Sequence, residues 1–223
     1  PHFGGSKAIQ TGLVAPSSVH RASWICLLSG LAIGVILSFV LGSTLLFFLV
    51  LGGSLIAWAY TAPPLSLAYR GWGELSLATA FGPLLVLGAF YLQAAAVTSR
   101  IAVVSVLPGL MIGVVLIGNE FADAAGDARA GKRNLAVRLG NERAFNLFLA
   151  GLILAYLIPA AGVITGVFEP LVLLIFISLP LGAGVFHLFR KALREEGDFA
   201  SASAALIRLY FVYHLLLMVI FIM

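Results

Sequence analysis

Seven apolar runs, separated by short polar interruptions, organise this chain from near its beginning to its end. They fall at about Val19 to Val40, Thr44 to Tyr60, Leu75 to Val97, Ile101 to Phe121, Ala144 to Thr165, Leu171 to Phe189 and Ala204 to Ile222. Crossing the hydrocarbon core takes roughly 20 apolar residues in helical form. A crossing segment must satisfy its own backbone hydrogen bonds, and none of these runs alternates as a barrel strand does. The pattern therefore predicts an all-α, polytopic membrane helix bundle with seven transmembrane helices. Composition agrees: 61% of residues are hydrophobic and 10% charged, which excludes an ordinary soluble domain. With no internal repeat in view, one transmembrane domain over residues 1–223 is expected.

Seven crossings place the interruptions on alternate sides, so basic residues can be counted by face. One face receives 12 of the 13 Lys and Arg residues, and only Arg100 falls opposite. An excess of that kind marks the cytoplasmic side, which predicts a multi-pass protein of the plasma (inner) membrane. The net charge of +4 is accounted for in this way and calls for no nucleic acid.

On the basic face lies Asn119 to Gly140, NEFADAAGDARAGKRNLAVRLG, where charge arrives abruptly after a long apolar run. Asn119, Asp123 and Asp127 recur every four residues, so a continuing helix would align them as oxygen ligands along one side. Carboxylates at a membrane helix end are costly when buried and point to a bound partner. Mg²⁺ suits them, since it takes oxygen ligands from one or two carboxylates together with substrate phosphates. Asp123 and Asp127 are the predicted metal ligands. Lys132 and Arg133 follow at once and suit phosphate oxygens. The alternative is a solvated loop whose charges only set orientation.

Other positions add less. In Tyr60 to Glu74, YTAPPLSLAYRGWGE, paired prolines end a helix on the same face. Arg70 could hold a phosphate and the Tyr60 hydroxyl could donate to one; the same residues could equally form an interfacial aromatic belt with Arg70 snorkelling. Near the start, Ser6 and Lys7 follow Gly4 and Gly5 and could meet an anion, although a membrane-surface linker explains them as well. Glu74 reads as a charge at the head of the third helix. The loop Arg190 to Ser203 reads as solvated, and Tyr210, Tyr213 and His214 as a packed aromatic stripe. Cys26, the sole cysteine, allows no disulfide framework and reads as a small packing residue.

These motifs resemble those of the UbiA superfamily of intramembrane prenyltransferases. The likeness is carried by P-x-x-G-G-S at Pro1 to Ser6, by Y-x-A-P-P-L with Y-R-G-x-G-E at Tyr60 to Glu74, and by N-E-F-x-D-x-x-x-D with G-K-R-x-L-x-V-R-L-G at Asn119 to Gly140. The resemblance implies nine transmembrane helices around a cavity, with two aspartate-rich motifs binding a prenyl diphosphate through Mg²⁺. It places Asn119, Asp123 and Asp127 in the second motif, and implies that this chain lacks its first two helices and the first motif. Pro1 in place of an initiating methionine fits that expectation. Two departures concern the site: Ala68 and Ser66 stand where the family often has lysine and arginine, so the phosphate role moves to Arg70. Asn134 stands where threonine is usual.

The reaction implied is Mg²⁺-dependent transfer of a polyprenyl group from an isoprenyl diphosphate to an aromatic acceptor, with Asp123, Asp127 and Tyr60 as catalytic residues. Asn119, Arg70, Lys132, Arg133, Ser6 and Lys7 would bind substrate, and membrane lipid would surround the apolar walls. The G-G-S segment followed by Lys7, Ile9 and Gln10 points to the menaquinone branch, with 1,4-dihydroxy-2-naphthoate as acceptor. A 4-hydroxybenzoate, chlorophyllide, homogentisate or glycerol-phosphate acceptor stays open, as do an ion transporter and an inactive membrane scaffold.

Overall fold

The computed structural model describes residues 8–195 and 198–222, and among them it contains helices and turns but no strand. Pro1 to Ser6 and Lys7, with the anion contact proposed for them, lie outside the described residues. Seven helical stretches are long and apolar enough to cross a membrane. The first is α1 (Pro16–Val40), joined by a three-residue turn to α2 (Thr44–Thr61), whose first turn is capped by Ser43 Oγ accepting from Leu46 N–H at 3.1 Å. Among the glycines of this hairpin, Gly34 makes the close contact: a Cβ there would stand 2.5 Å from Val50 Cγ1, whereas Gly30 and Gly53 face open space. Cys26 is exposed on α1 rather than packed.

The third crossing is less regular than its sequence suggests. It opens as α3 (Gly73–Thr79), widens into a π-helical turn at Ala80–Leu84 that contains Pro83, and resumes as α4 (Leu85–Ala94). A proline removes one backbone donor and crowds the preceding turn, which accounts for the widened turn. At this level the backbone meets α5 (Ser99–Arg129) directly. A Cβ on Gly109 would lie 2.2 Å from the Ala78 carbonyl oxygen, and one on Gly82 would lie 2.7 Å from that of Ser105. Small residues permit such close crossings where lipid offers no hydrophobic drive between helices.

Helix α5 is the axis of the packed half. It contacts α3, α6 (Leu135–Leu139), α7 (Asn141–Ile164) and α9 (Phe199–Ile222). The sixth crossing begins as a 3-10 helix, Pro170–Ser178, and continues as α8 (Leu179–Glu195), so Arg190 to Arg194 belong to a helix and not to a loop. Phe121, Phe145, Phe148 and Phe189 meet around Gly118, where a Cβ would stand 2.5 Å from Leu206 Cδ2. This aromatic knot clamps the part of α5 from which the acidic row rises. Lower down, buried Tyr213 donates to the Ala155 carbonyl at 2.6 Å and His214 stacks on Tyr210 with its Nδ1 2.7 Å from the Tyr210 carbonyl, so the expected aromatic stripe is packed, although the buried His214 Nε2 has no partner among the described residues.

Candidate functional site

The site begins with the length of α5. Its 31 residues rise about 46 Å, well beyond the ~30 Å of a hydrocarbon core. The helix therefore outruns its apolar part without a break and carries Asn119, Asp123 and Asp127 on one continuous face, each half-buried. Successive members stand about 6 Å apart along the axis. Asn119 Oδ1 is buried and has no hydrogen-bond partner. Asp123 has no hydrogen-bond or ion-pair partner among the described residues.

Asp127 is held from the far side by the segment that follows it. Gly131, at φ +75°, turns the chain back on itself. Lys132 Nζ then donates to Asp127 Oδ2 at 2.9 Å, and Asn134 Nδ2 donates to the same oxygen at 2.7 Å. Partial burial alone would lower the Lys132 pKa. The hydrogen bond and charge of Asp127, aided by the charge of Glu120, outweigh that, and the ammonium ends above its ordinary value of 10.5. A half-buried cation is thus kept charged beside the acidic row.

Asn134 does two jobs. Its Oδ1 accepts from Val137 N–H at 3.0 Å, which caps α6, while its Nδ2 reaches Asp127. The residue is 1% exposed, which makes it one of the most enclosed polar side chains described. Its departure from the threonine pattern has a physical content: a carboxamide divides acceptor and donor between two atoms, whereas a hydroxyl must supply both from one.

The remaining predicted residues divide. Tyr60, half-buried at the end of α2, lies within electrostatic reach of Lys132, Glu74 and Glu120, and its ring packs near Gly73. The side chains of Arg70 and Arg133 are exposed, and it is their backbones that join the two loops. Arg133 N–H donates to Tyr69 O at 3.0 Å, and Arg138 Nη1 donates to Arg70 O at 2.7 Å. Gly71, at φ +74°, lies in this clasp, where a Cβ would stand 2.6 Å from Arg138 Cδ.

Sequence reasoning missed Glu120, and it put Glu74 at the head of α3, where it lies, without seeing the amide it serves on α6. Each is 5% exposed, and each carboxylate accepts a backbone N–H at the head of α6. The available signal was an ionisable residue at membrane depth, adjacent in sequence to Asn119 in one case and heading an apolar helix in the other. The side chains of Asn119, Asp123 and Asp127 present hard oxygens, one of them an orphaned buried atom, of the kind Mg²⁺ takes, although among the described residues no three His, Cys, Asp or Glu side chains are gathered into a metal site.

A helical membrane bundle with carboxylates and a restrained ammonium at one end defines a class: multi-pass integral membrane proteins with a polar site at the lipid–water boundary. Residues 6–213 match the UbiA prenyltransferase family, and the chain belongs to it. It is 30% identical over 128 residues to a 1,4-dihydroxy-2-naphthoate octaprenyltransferase of Bacillus subtilis, covering 57% of this chain and 41% of that protein. A Mycobacterium tuberculosis protein of the same name is 34% identical over 164 residues, covering 73% and 53% respectively. A chloroplastic chlorophyll synthase of Arabidopsis thaliana is 33% identical over 144 residues, covering 62% and 36%. The matches thus span about half the length of these relatives or less. No solved structure matches.

Proposed function

We propose that the protein transfers a polyprenyl group from an isoprenyl diphosphate to an aromatic acceptor, with 1,4-dihydroxy-2-naphthoate as that acceptor, in the inner membrane with the site facing the cytoplasm. The observation that carries this reading is the convergence of Lys132 and Asn134 on Asp127 while Asn119 and Asp123, on the same helix face, keep oxygen atoms without partners. The acceptor follows from the names of the relatives in Bacillus and Mycobacterium; the chlorophyll synthase match makes a chlorophyllide-type acceptor the second reading. The side follows from the distribution of basic residues.

Asp123 and Asp127 would hold Mg²⁺, which when bound offsets negative charge on the departing diphosphate, while Asn119 would meet the substrate. The protein's own groups account for the rest. Lys132 presents a fixed positive charge towards the phosphates, and Asp127 with Asn134 prevents it from swinging away. The Tyr60 hydroxyl, within electrostatic reach of Lys132, would donate to a phosphate oxygen. As the bond between the allylic carbon and oxygen breaks, its electron pair leaves with the diphosphate. The acceptor ring supplies the pair for the new carbon–carbon bond, and the group on the attacked carbon then leaves without its bonding electrons, a hydrogen as H⁺ or a carboxylate as CO₂, so that this pair returns to the ring and restores aromaticity. Apolar walls exclude water that would otherwise capture the cation.

The test is transfer from a labelled prenyl diphosphate to a panel of aromatic acceptors in membranes carrying the full-length protein, with and without Mg²⁺. Label should enter the naphthoate product only with Mg²⁺. Transfer that is indifferent to Mg²⁺, or confined to a different acceptor, overturns the corresponding part of the proposal.

A further inference from the structure

Two buried carboxylates close to the site take no part in the reaction proposed above. Glu74 lies in the first turn of α3 and Glu120 in α5, one residue beyond Asn119. Glu74 Oε1 accepts from Leu135 N–H at 3.0 Å, and Glu120 Oε2 accepts from Ala136 N–H at 3.4 Å. The Glu74 and Glu120 carboxyl groups also lie within hydrogen-bonding reach of each other, and no other group among the described residues partners the buried Glu74 Oε2. The leading amides of any helix lack partners within the helix. Here those of the five-residue α6 are taken by Glu74, Glu120 and the Asn134 cap.

This arrangement is a poor way to gain stability. Removing carboxylates from water is costly, and apolar side chains of like volume usually serve a core as well or better. What the two groups do secure is position. They reach α6 from separate crossings, and α6 follows directly from Lys132 and Asn134, which hold Asp127. Residues 61 positions apart in sequence are thereby locked into one geometry.

We propose that Glu74 and Glu120 are positioning residues: by gripping the leading amides of α6 they fix Lys132 and Asn134 against Asp127, and so set affinity for the diphosphate. The inference rests on the prenyltransferase reading of the site. Substitution of such supporting partners in other sites typically costs about 10- to 100-fold in affinity or activity.

The experiment uses the full-length protein and reads KM for prenyl diphosphate, kcat, and calorimetric binding of inorganic pyrophosphate with Mg²⁺. Glu74→Ala should raise KM and weaken pyrophosphate binding by about tenfold, with kcat within about threefold of the parent. Glu74→Gln keeps an oxygen for Leu135 N–H and should stay within about twofold of the parent. Leu135→Pro deletes the amide while leaving both carboxylates, and proline is well suited to a first helical position, so its KM should rise as for Glu74→Ala. Amide exchange at Ala136 should quicken in Glu120→Ala but not in Glu120→Gln. Equal losses in Glu74→Ala and Glu74→Gln, a loss confined to kcat, or a parental KM in Leu135→Pro would each overturn the inference. Asp127→Ala separates the two levels. If that variant still transfers prenyl groups, the site reading fails; if it is inactive while Glu74→Ala is silent, the positioning role alone falls.

Discussion

Helices α1 and α9 have the same mean hydropathy, 2.2, yet 6% of the apolar stretch of α1 is buried within the protein against 28% for α9. In α9, Leu206, Leu209 and Tyr213 are fully enclosed, whereas Ile25, Ile33, Ile36 and Phe39 of α1 point outward. Hydropathy reports that a segment can cross a bilayer and does not report what it packs against. The difference also divides labour. The packed half, centred on α5 with 50% of its apolar stretch buried, carries the acidic row. The α1–α2 hairpin contributes Tyr60 and one end of the loop clasp.

The sharpest way to break this contrast is at the row itself. Asp123→Ala and Asp127→Ala should each lower prenyl transfer by at least about 100-fold while leaving the detergent-extracted protein folded by circular dichroism. Full activity in either would detach the packed half from the chemistry. Next comes the knot beneath it: Phe148→Ala should cost about 3–5 kcal/mol, seen as a lower unfolding midpoint, while Ile33→Ala on outward-facing α1 should fall within about 0.5 kcal/mol. Comparable losses would erase the distinction between the halves.

Glycines refine it further. Gly109→Ala forces a Cβ onto the Ala78 carbonyl and should destabilise by about 1–3 kcal/mol, whereas Gly30→Ala meets open space and should be neutral or slightly stabilising. The smallest effect concerns pH. Because the Lys132 pKa is raised in the folded protein, the stabilisation it contributes is fully present below 10.5, the ordinary value, and is lost as pH rises through the higher folded value. The gap in melting temperature between the parent and Lys132→Ala should hold from about pH 6 to 9 and close only in strong alkali.

Crossings and the acidic row were legible because each rests on a local rule. A run of apolar residues must be helical in lipid, and a repeat of four keeps Asn119, Asp123 and Asp127 on one side. The π-helical turn at Ala80–Leu84 and the 3-10 opening at Pro170–Ser178 were not, since hydropathy is blind to backbone pitch. Glu74 was read as a charge for its own helix because the amide it serves lies 61 residues away. Arg70 shows the converse: its type suggested a role for the side chain, which is exposed, while the contact with Arg138 that residue type could not announce is made by its carbonyl.

The reach of α5 past the apolar layer has a further consequence. Any molecule engaging both the acidic oxygens and the greasy flanks of that helix must itself straddle the boundary, head in water and tail among acyl chains. Such a molecule can approach sideways through the leaflet, its polar end already at the level of Asp123 and Asp127, without ever taking its tail into solution.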